Sequence, residues 1–230
     1  MHTCVATEGA YPFAQDSTPL WPPLLPAAGE LLLPKERITI MTTVITVFDV
    51  PATADAPPLL GAGHVRHQAV GAPASFPWVD LAESLSAEAA AAAVARAAAV
   101  PGALAGRYDA FHVNDQAAPR FEAAIEGDAV VFVNCLRFEP SQYDAAFAAW
   151  RRVNSYMVDK PGYRGHRLHR RIDDNAPFGL VNVVEWESPE AWRAAHDTGF
   201  HALTEGDLPF TAYPTLCRPV AETGHLQMAG

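Results

Sequence analysis

Lysine is nearly missing from this chain: Lys35 and Lys160 are the only two. Arginine carries the rest of the positive charge. Lys+Arg 16 against Asp+Glu 26 leaves a formal net charge of −10. Such a surface repels nucleic-acid backbones and anionic membranes, so we expect neither as a partner. Cysteine is scarce too. Cys4, Cys135 and Cys217 form an odd trio with no CxxC spacing. That argues against a disulfide framework or zinc knuckle and fits a reducing cytoplasm. No run approaches the roughly 18–20 unbroken apolar residues of a membrane span. Glycine-rich phosphate loops are also lacking. Gly61-Ala62-Gly63 has neither the third glycine nor the preceding strand of a dinucleotide fingerprint, and no Walker loop occurs. A standard site for a tightly bound flavin is thereby excluded.

What is present is a chain of 230 residues, 50% hydrophobic, long enough for one large domain or two small ones. Residues 1–40 read as a separate Pro-rich extension. Pro12, Pro19, Pro22, Pro23, Pro26 and Pro34 break any regular element there. No basic segment precedes an apolar stretch, so no signal peptide is expected. We expect an irregular arm without chemistry of its own.

Two similar stretches follow, at 41–118 and 119–230. In the second, Val130 to Phe138 is a β-branched and aromatic run that ends at Glu139-Pro140. Ser141 to Met157 is amphipathic, with Tyr143, Phe147, Trp150, Val153 and Met157 at helical spacing. Tyr163 to Ile172 and Phe178 to Glu187 read as strands. Ser188-Pro189-Glu190 opens a helix, with serine as N-cap and proline at the first helical position. That helix is expected from Ala191 to about Leu203, and Phe210 to Val220 is a last strand. The order βαββαβ is a ferredoxin-like unit.

The first stretch repeats this order imperfectly. Thr43 to Pro51 matches the run at 130–140, and Trp78 to Ala89 lies on Leu180 to Ala191, with Asp80 falling on Asn182. Between those anchors the first copy is shorter. We expect a first helix carrying His64 and His67, a curtailed second strand, an Ala-rich second helix at 87–99 and a last strand at Arg107 to Val113. The fold expected is α+β: two ferredoxin-like (βαββαβ) repeats forming a dimeric-type α/β barrel.

Pro161-Gly162-Tyr163-Arg164-Gly165-His166-Arg167-Leu168-His169-Arg170, followed by Phe178 to Ser188, resembles the antibiotic biosynthesis monooxygenase family. The V-N-x-x-E-W-x-S junction at 181–188 is the most specific element. The resemblance covers about 130–220, and 42–115 by way of the repeat. It implies a substrate held between sheet and helices, and oxidation of electron-rich phenols without a bound cofactor. The tandem length resembles the angucycline ring-opening oxygenases, which cleave a C–C bond of a polycyclic aromatic polyketide with dioxygen. There, reduced FADH2 or FMNH2 would diffuse in from a partner flavin reductase. A homodimer and a cytoplasmic location are further expectations. Haem degradation also occurs on this fold, but the positions that would carry its Trp and His read Ala195 and Thr204.

In a strand, positions i and i+4 share a face, so Asn182 and Trp186 look the same way. An indole stacks on a flat aromatic ligand, and an amide bonds a phenol or quinone oxygen. The resemblance carries substrate contact to Asn182 and Trp186. It places Trp192 where the family has a tyrosine, which substitutes a stacking surface for a proton donor. Trp78, which falls on Leu180 in the repeat alignment, is a further aromatic candidate from the first copy. A general base needs a pKa near the working pH, which makes histidine the natural choice. His64, His67 and His196 are the candidates. Asp80, a carboxylate inside an apolar strand, is the fourth catalytic candidate. His64 and His67 lack the carboxylate partners of a metal site, and no metal is expected. Rival readings are a non-catalytic polyketide-binding or cyclase-like protein, and a quinol oxygenase acting on a single ring.

Overall fold

The computed structural model describes residues 42–51, 55–61, 63–113 and 127–220. The expectations for residues 1–40 and for a boundary at 118/119 lie outside those residues. The first repeat consists of β1 (Thr42–Phe48), β2 (His64–Ala74), β3 (Trp78–Leu85), α1 (Ala87–Ala97) and β4 (Ala103–Val113). The second consists of β5 (Val130–Arg137), α2 (Tyr143–Met157), β6 (Tyr163–Arg171), β7 (Leu180–Trp186), α3 (Pro189–Ala195), α4 (Thr198–Thr204) and β8 (Thr211–Pro219). All strand pairs are antiparallel, and the sheet closes as β1-β3-β2-β8-β5-β7-β6-β4. Each repeat thus supplies four neighbouring strands, and β2 against β8 and β4 against β6 are the two seams. Closure leaves no free sheet edge. This is the ferredoxin-like α+β architecture expected, with one chain making a whole barrel.

Alternation along the strands divides the core in two. Val131, Val133 and Cys135 of β5, with Val181 and Val183 of β7, point into the barrel beside Ile45, Val47, Leu81 and Tyr108. Their neighbours Val130, Leu136, Leu180, Val184 and Trp186 point outward beneath the helices of the second repeat. Cys135 and Cys217 are free thiols inside the barrel. Burial pushes both thiols up, so neither forms thiolate readily.

Two expected elements differ. His64 and His67 lie on a strand, not on a helix. β2 runs 11 residues and pairs with β3 on one side and β8 on the other. Among the described residues the first copy therefore shows no first helix, and its second strand is long. Pro51, Pro57 and Pro58 fall in the connection between β1 and β2. Proline removes a helical donor and clashes with the preceding turn, so this connection cannot wind up as α2 does.

The expected single helix from Ala191 to Leu203 is also broken. Asp197 caps a second helix: its Oδ1 accepts from the backbone N–H of Gly199 at 3.0 Å and Phe200 at 3.1 Å. The same carboxylate accepts from Tyr156 Oη at 2.6 Å and Lys160 Nζ at 2.8 Å. These contacts hold it below the usual carboxylate range. The helix breaks at His196, and α4, opened by this cap, packs against α2. Gly162, at φ +81°, reverses the chain from α2 into β6; a Cβ there would collide with Ala191.

Candidate active site

The outer face of β5, β7 and β8 and the overlying α2, α3 and α4 enclose a cavity of about 430 Å3. Its floor follows from strand periodicity. Phe132, Asn134 and Leu136 alternate along β5, and Asn182, Val184 and Trp186 along β7. The roof follows from helical spacing. Trp150, Val153, Asn154 and Met157 of α2 face it, with Trp192 and His196 from the α3 end and Phe200 and Thr204 from α4. Tyr163, at the head of β6, closes one side. Its ring meets Trp186 edge-on at 5.3 Å, and Trp192 lies 5.5 Å from Phe132.

The walls are apolar and aromatic, yet several lining residues carry buried polar atoms that have no hydrogen bond among the described residues. Asn134 Oδ1 and Asn182 Oδ1 are buried, and neither has a hydrogen bond among the described residues. The same holds for the indole N–H groups of Trp150, Trp186 and Trp192. All five residues line the cavity. Asn134 and Asn182 face one another across the β5/β7 ladder. Buried polar groups are nearly always bonded, and leaving one unpaired costs about 1–3 kcal/mol. Buried polar groups without partners on both floor and roof make this cavity the candidate site for an oxygen-bearing ligand.

His196 is the titratable candidate that reaches this wall. Its Nδ1 donates to the Trp192 carbonyl at 2.7 Å, which leaves Nε2 as the lone-pair nitrogen. Burial lowers its pKa, which favours the neutral ring and leaves Nε2 able to accept a proton. No Arg or Lys lines the cavity among the described residues. Among the described residues no cluster of three or more His, Cys, Asp or Glu could hold a metal ion.

The other sequence candidates do not line the cavity. Asp80, Trp78 and His64 lie in the first repeat, where the corresponding face is filled. Asp80 is fully buried and accepts from Arg66 Nε at 2.8 Å and Nη2 at 2.7 Å. Arg66 also donates to the carbonyls of Pro57 and Pro58 and lies over the rings of Phe48 and Trp78. Leu60 packs on Phe48, Trp78 and Ala97, and Arg96 Nε holds the Leu60 carbonyl at 2.6 Å. The proline-bearing connection thus covers the first repeat where α2 roofs the second. Both carboxylate oxygens are engaged by the guanidinium, so the position expected to abstract a proton is an ion-pair partner. His64 is buried beside that pair, and burial lowers its pKa. His67 is buried with Nδ1 at 3.1 Å from the Val65 carbonyl, and burial pushes it down to about 4.

Sequence reasoning missed Asn134, Trp150, Tyr163 and Phe200. Asn134 carried a signal: it is the one amide in the otherwise apolar run of β5. The aromatics of α2 and α4 read as ordinary core at helical spacing.

Residues 129–202 match the family model described as Antibiotic biosynthesis monooxygenase (ABM). No curated protein matches the chain. Among solved structures, an anthrone oxidase-like protein is 15% identical with a TM-score of 0.53; the match covers 79% of this chain and 92% of that one. SnoaB, a cofactor-independent oxygenase from Streptomyces nogalater, is 25% identical with a TM-score of 0.31, over 39% of this chain and 91% of SnoaB. The first of these shows the fold shared across both repeats. The cavity described above is built almost entirely from the second repeat, and that repeat, over residues 129–202, carries the match to the antibiotic biosynthesis monooxygenase family.

Proposed function

We propose that this protein is an oxygenase of polycyclic aromatic phenols, of the kind made by aromatic polyketide pathways, with dioxygen as co-substrate and no resident cofactor. The observation that carries the reading is the cavity wall. Two amide oxygens and three indole N–H groups of residues lining an apolar, aromatic chamber of about 430 Å3 have no hydrogen bond among the described residues. That volume sits within the roughly 300–1,000 Å3 of cavities that take drug-sized ligands. It favours a fused polycycle over a single ring. The ABM match over this same stretch supports oxygen chemistry there.

The residues have separable roles. Trp186 and Trp192 supply stacking faces, and Asn134 and Asn182 orient phenol or keto oxygens. His196 Nε2 takes the acidic proton of the bound phenol or anthrone. The resulting anion is electron-rich enough to reduce dioxygen itself. The apolar wall excludes water from the reactive anion. Among the described residues no Arg or Lys lines the cavity to meet a flavin phosphate. In the finer form of the reading, the substrate is an angucycline and the outcome is C–C cleavage of its central ring. A quinone-level substrate would first be reduced to the hydroquinone by flavin from solution.

Oxygen uptake tests the reading. The wild-type protein should consume dioxygen with 1,8-dihydroxyanthrone and no added flavin. A dehydrorabelomycin-like substrate, with and without reduced flavin, tests the ring-opening form. Tight binding with no oxygen uptake in any arm would favour a binding or cyclase-like role.

A further inference from the structure

Behind the cavity wall, three side chains form a continuous chain. The Tyr163 hydroxyl, whose ring lines the cavity, is bonded to His166 Nδ1. His166 Nε2 lies 2.9 Å from His112 Nδ1. The two imidazoles stack at 5.1 Å and 19°, and Trp150 packs edge-on against both. Tyr163 and His166 belong to β6 of the second repeat, whereas His112 belongs to β4 of the first, so the chain crosses the seam. His166 is 1% exposed; His112 is half-buried and adjoins the exposed Val113.

We propose that Tyr163, His166 and His112 form a proton relay that delivers a proton from the first repeat's side of the seam into the second repeat's cavity. The inference rests on the oxygenase reading. Reduction of dioxygen by a substrate anion leaves an oxygen-centred anion, which must gain a proton. Tyr163 gives its O–H proton to that anion. The Nδ1 proton of His166 passes to the Tyr163 oxygen, and the Nδ1 proton of His112 passes to His166 Nε2. His112 Nε2 then gains a proton from solvent. One O–H bond forms in the cavity, and one proton enters from water. Both rings begin and end neutral, with only their tautomers reversed. Burial and the neighbouring His112 push His166 down to about 4, in keeping with a ring that passes protons without storing one. This assigns Tyr163 as the residue touching substrate, and His166 and His112 as positioning and relay residues acting through it.

The test measures turnover of 1,8-dihydroxyanthrone by oxygen electrode in three proteins. Wild type must first consume oxygen; if it does not, the oxygenase reading itself fails and the relay with it. Tyr163→Phe keeps the ring and removes the proton, and kcat should fall about 100-fold with KM within about twofold. His112→Ala should lose about tenfold or more in kcat, and added imidazole should restore most of it. The proton inventory of kcat should be curved in wild type, as transfer of several protons requires, and should become linear in both variants. The relay is overturned if wild type turns over and either variant keeps kcat within twofold. It is equally overturned if imidazole fails to restore His112→Ala, since a purely structural loss would not respond to a free proton carrier.

Discussion

Replacing Asp80 by asparagine should damage stability and spare chemistry. Asp80 is fully buried, and its partner Arg66 is 10% exposed. The substitution removes the negative charge from a two-point ion pair and leaves a guanidinium in an apolar pocket. Breaking a buried pair from one side costs about 3–5 kcal/mol. Arg66 keeps the Pro57 and Pro58 carbonyls and the faces of Phe48 and Trp78. Those contacts place the cost at the low end, about 3 kcal/mol. For a domain of this size each kcal/mol moves the melting temperature by about 2–4 °C, so the shift should be about 6–12 °C. Replacing both partners together, Arg66→Met with Asp80→Leu, should recover most of that loss, because no charge is left to desolvate. Thermal unfolding followed by circular dichroism reads the shift, and kcat measured well below the lowered transition should match wild type. A melting temperature within 2 °C of wild type combined with lost turnover would refute the structural role and return Asp80 to the list of bases.

The cavity amides make the opposite prediction. Asn134→Ala or Asn182→Ala should leave the melting temperature almost unchanged, since their Oδ1 atoms have no hydrogen bond among the described residues. Each should weaken binding of 1,8-dihydroxyanthraquinone about 2–13-fold by calorimetry, the equivalent of about 0.5–1.5 kcal/mol for one hydrogen bond; a change under twofold for both contradicts the site. Acid should destabilise the fold before its carboxylates titrate. Burial pushes His67, His166 and His169 down to about 4, against about 6.5 in an unfolded chain. The unfolded state therefore binds more protons between those values. Stability should fall as pH drops from about 6.5 towards 4, by up to about 1.4 kcal/mol per pH unit for each ring. Urea midpoints at pH 7, 6 and 5 check this, and a flat profile would contradict it. Finally, Asp197→Ala removes the cap of α4 and should cost about 0.5–2 kcal/mol, with looser ligand binding because α4 walls the cavity.

The second repeat was legible because its local signals agree with its tertiary role. The β5 run, the Pro161-Gly162 stop and the Ser188-Pro189 start each match an observed element boundary within a few residues. Asn182, Trp186 and Trp192 follow from strand period and the V-N-x-x-E-W-x-S junction, and the structure brings them together with His196 around one cavity. The first repeat misled because a short run such as His64-Val65-Arg66-His67 has no decisive period. Its strand state is settled by pairing with β3 and with β8, some 150 residues downstream. The prolines at 51, 57 and 58 held the information that the helix was gone. Asp80 misled for a related reason: an isolated carboxylate in an apolar strand looks reactive until Arg66 is seen beside it. The contact of His112 with His166 spans 54 residues and two repeats, and no local pattern announces it.

The central claim is that one cavity, in the second repeat, takes a flat polycyclic phenol. A crystal structure of the protein with bound 1,8-dihydroxyanthraquinone tests it most directly. The claim predicts the ring system between the outer face of β5 and β7 and the helices α2–α4. Its oxygens should lie within hydrogen-bonding distance of the Asn134 and Asn182 amides, with Trp186 and Trp192 against its faces. Density for the quinone inside the barrel, or on the face of the first repeat that Leu60 and Arg66 cover, would contradict it.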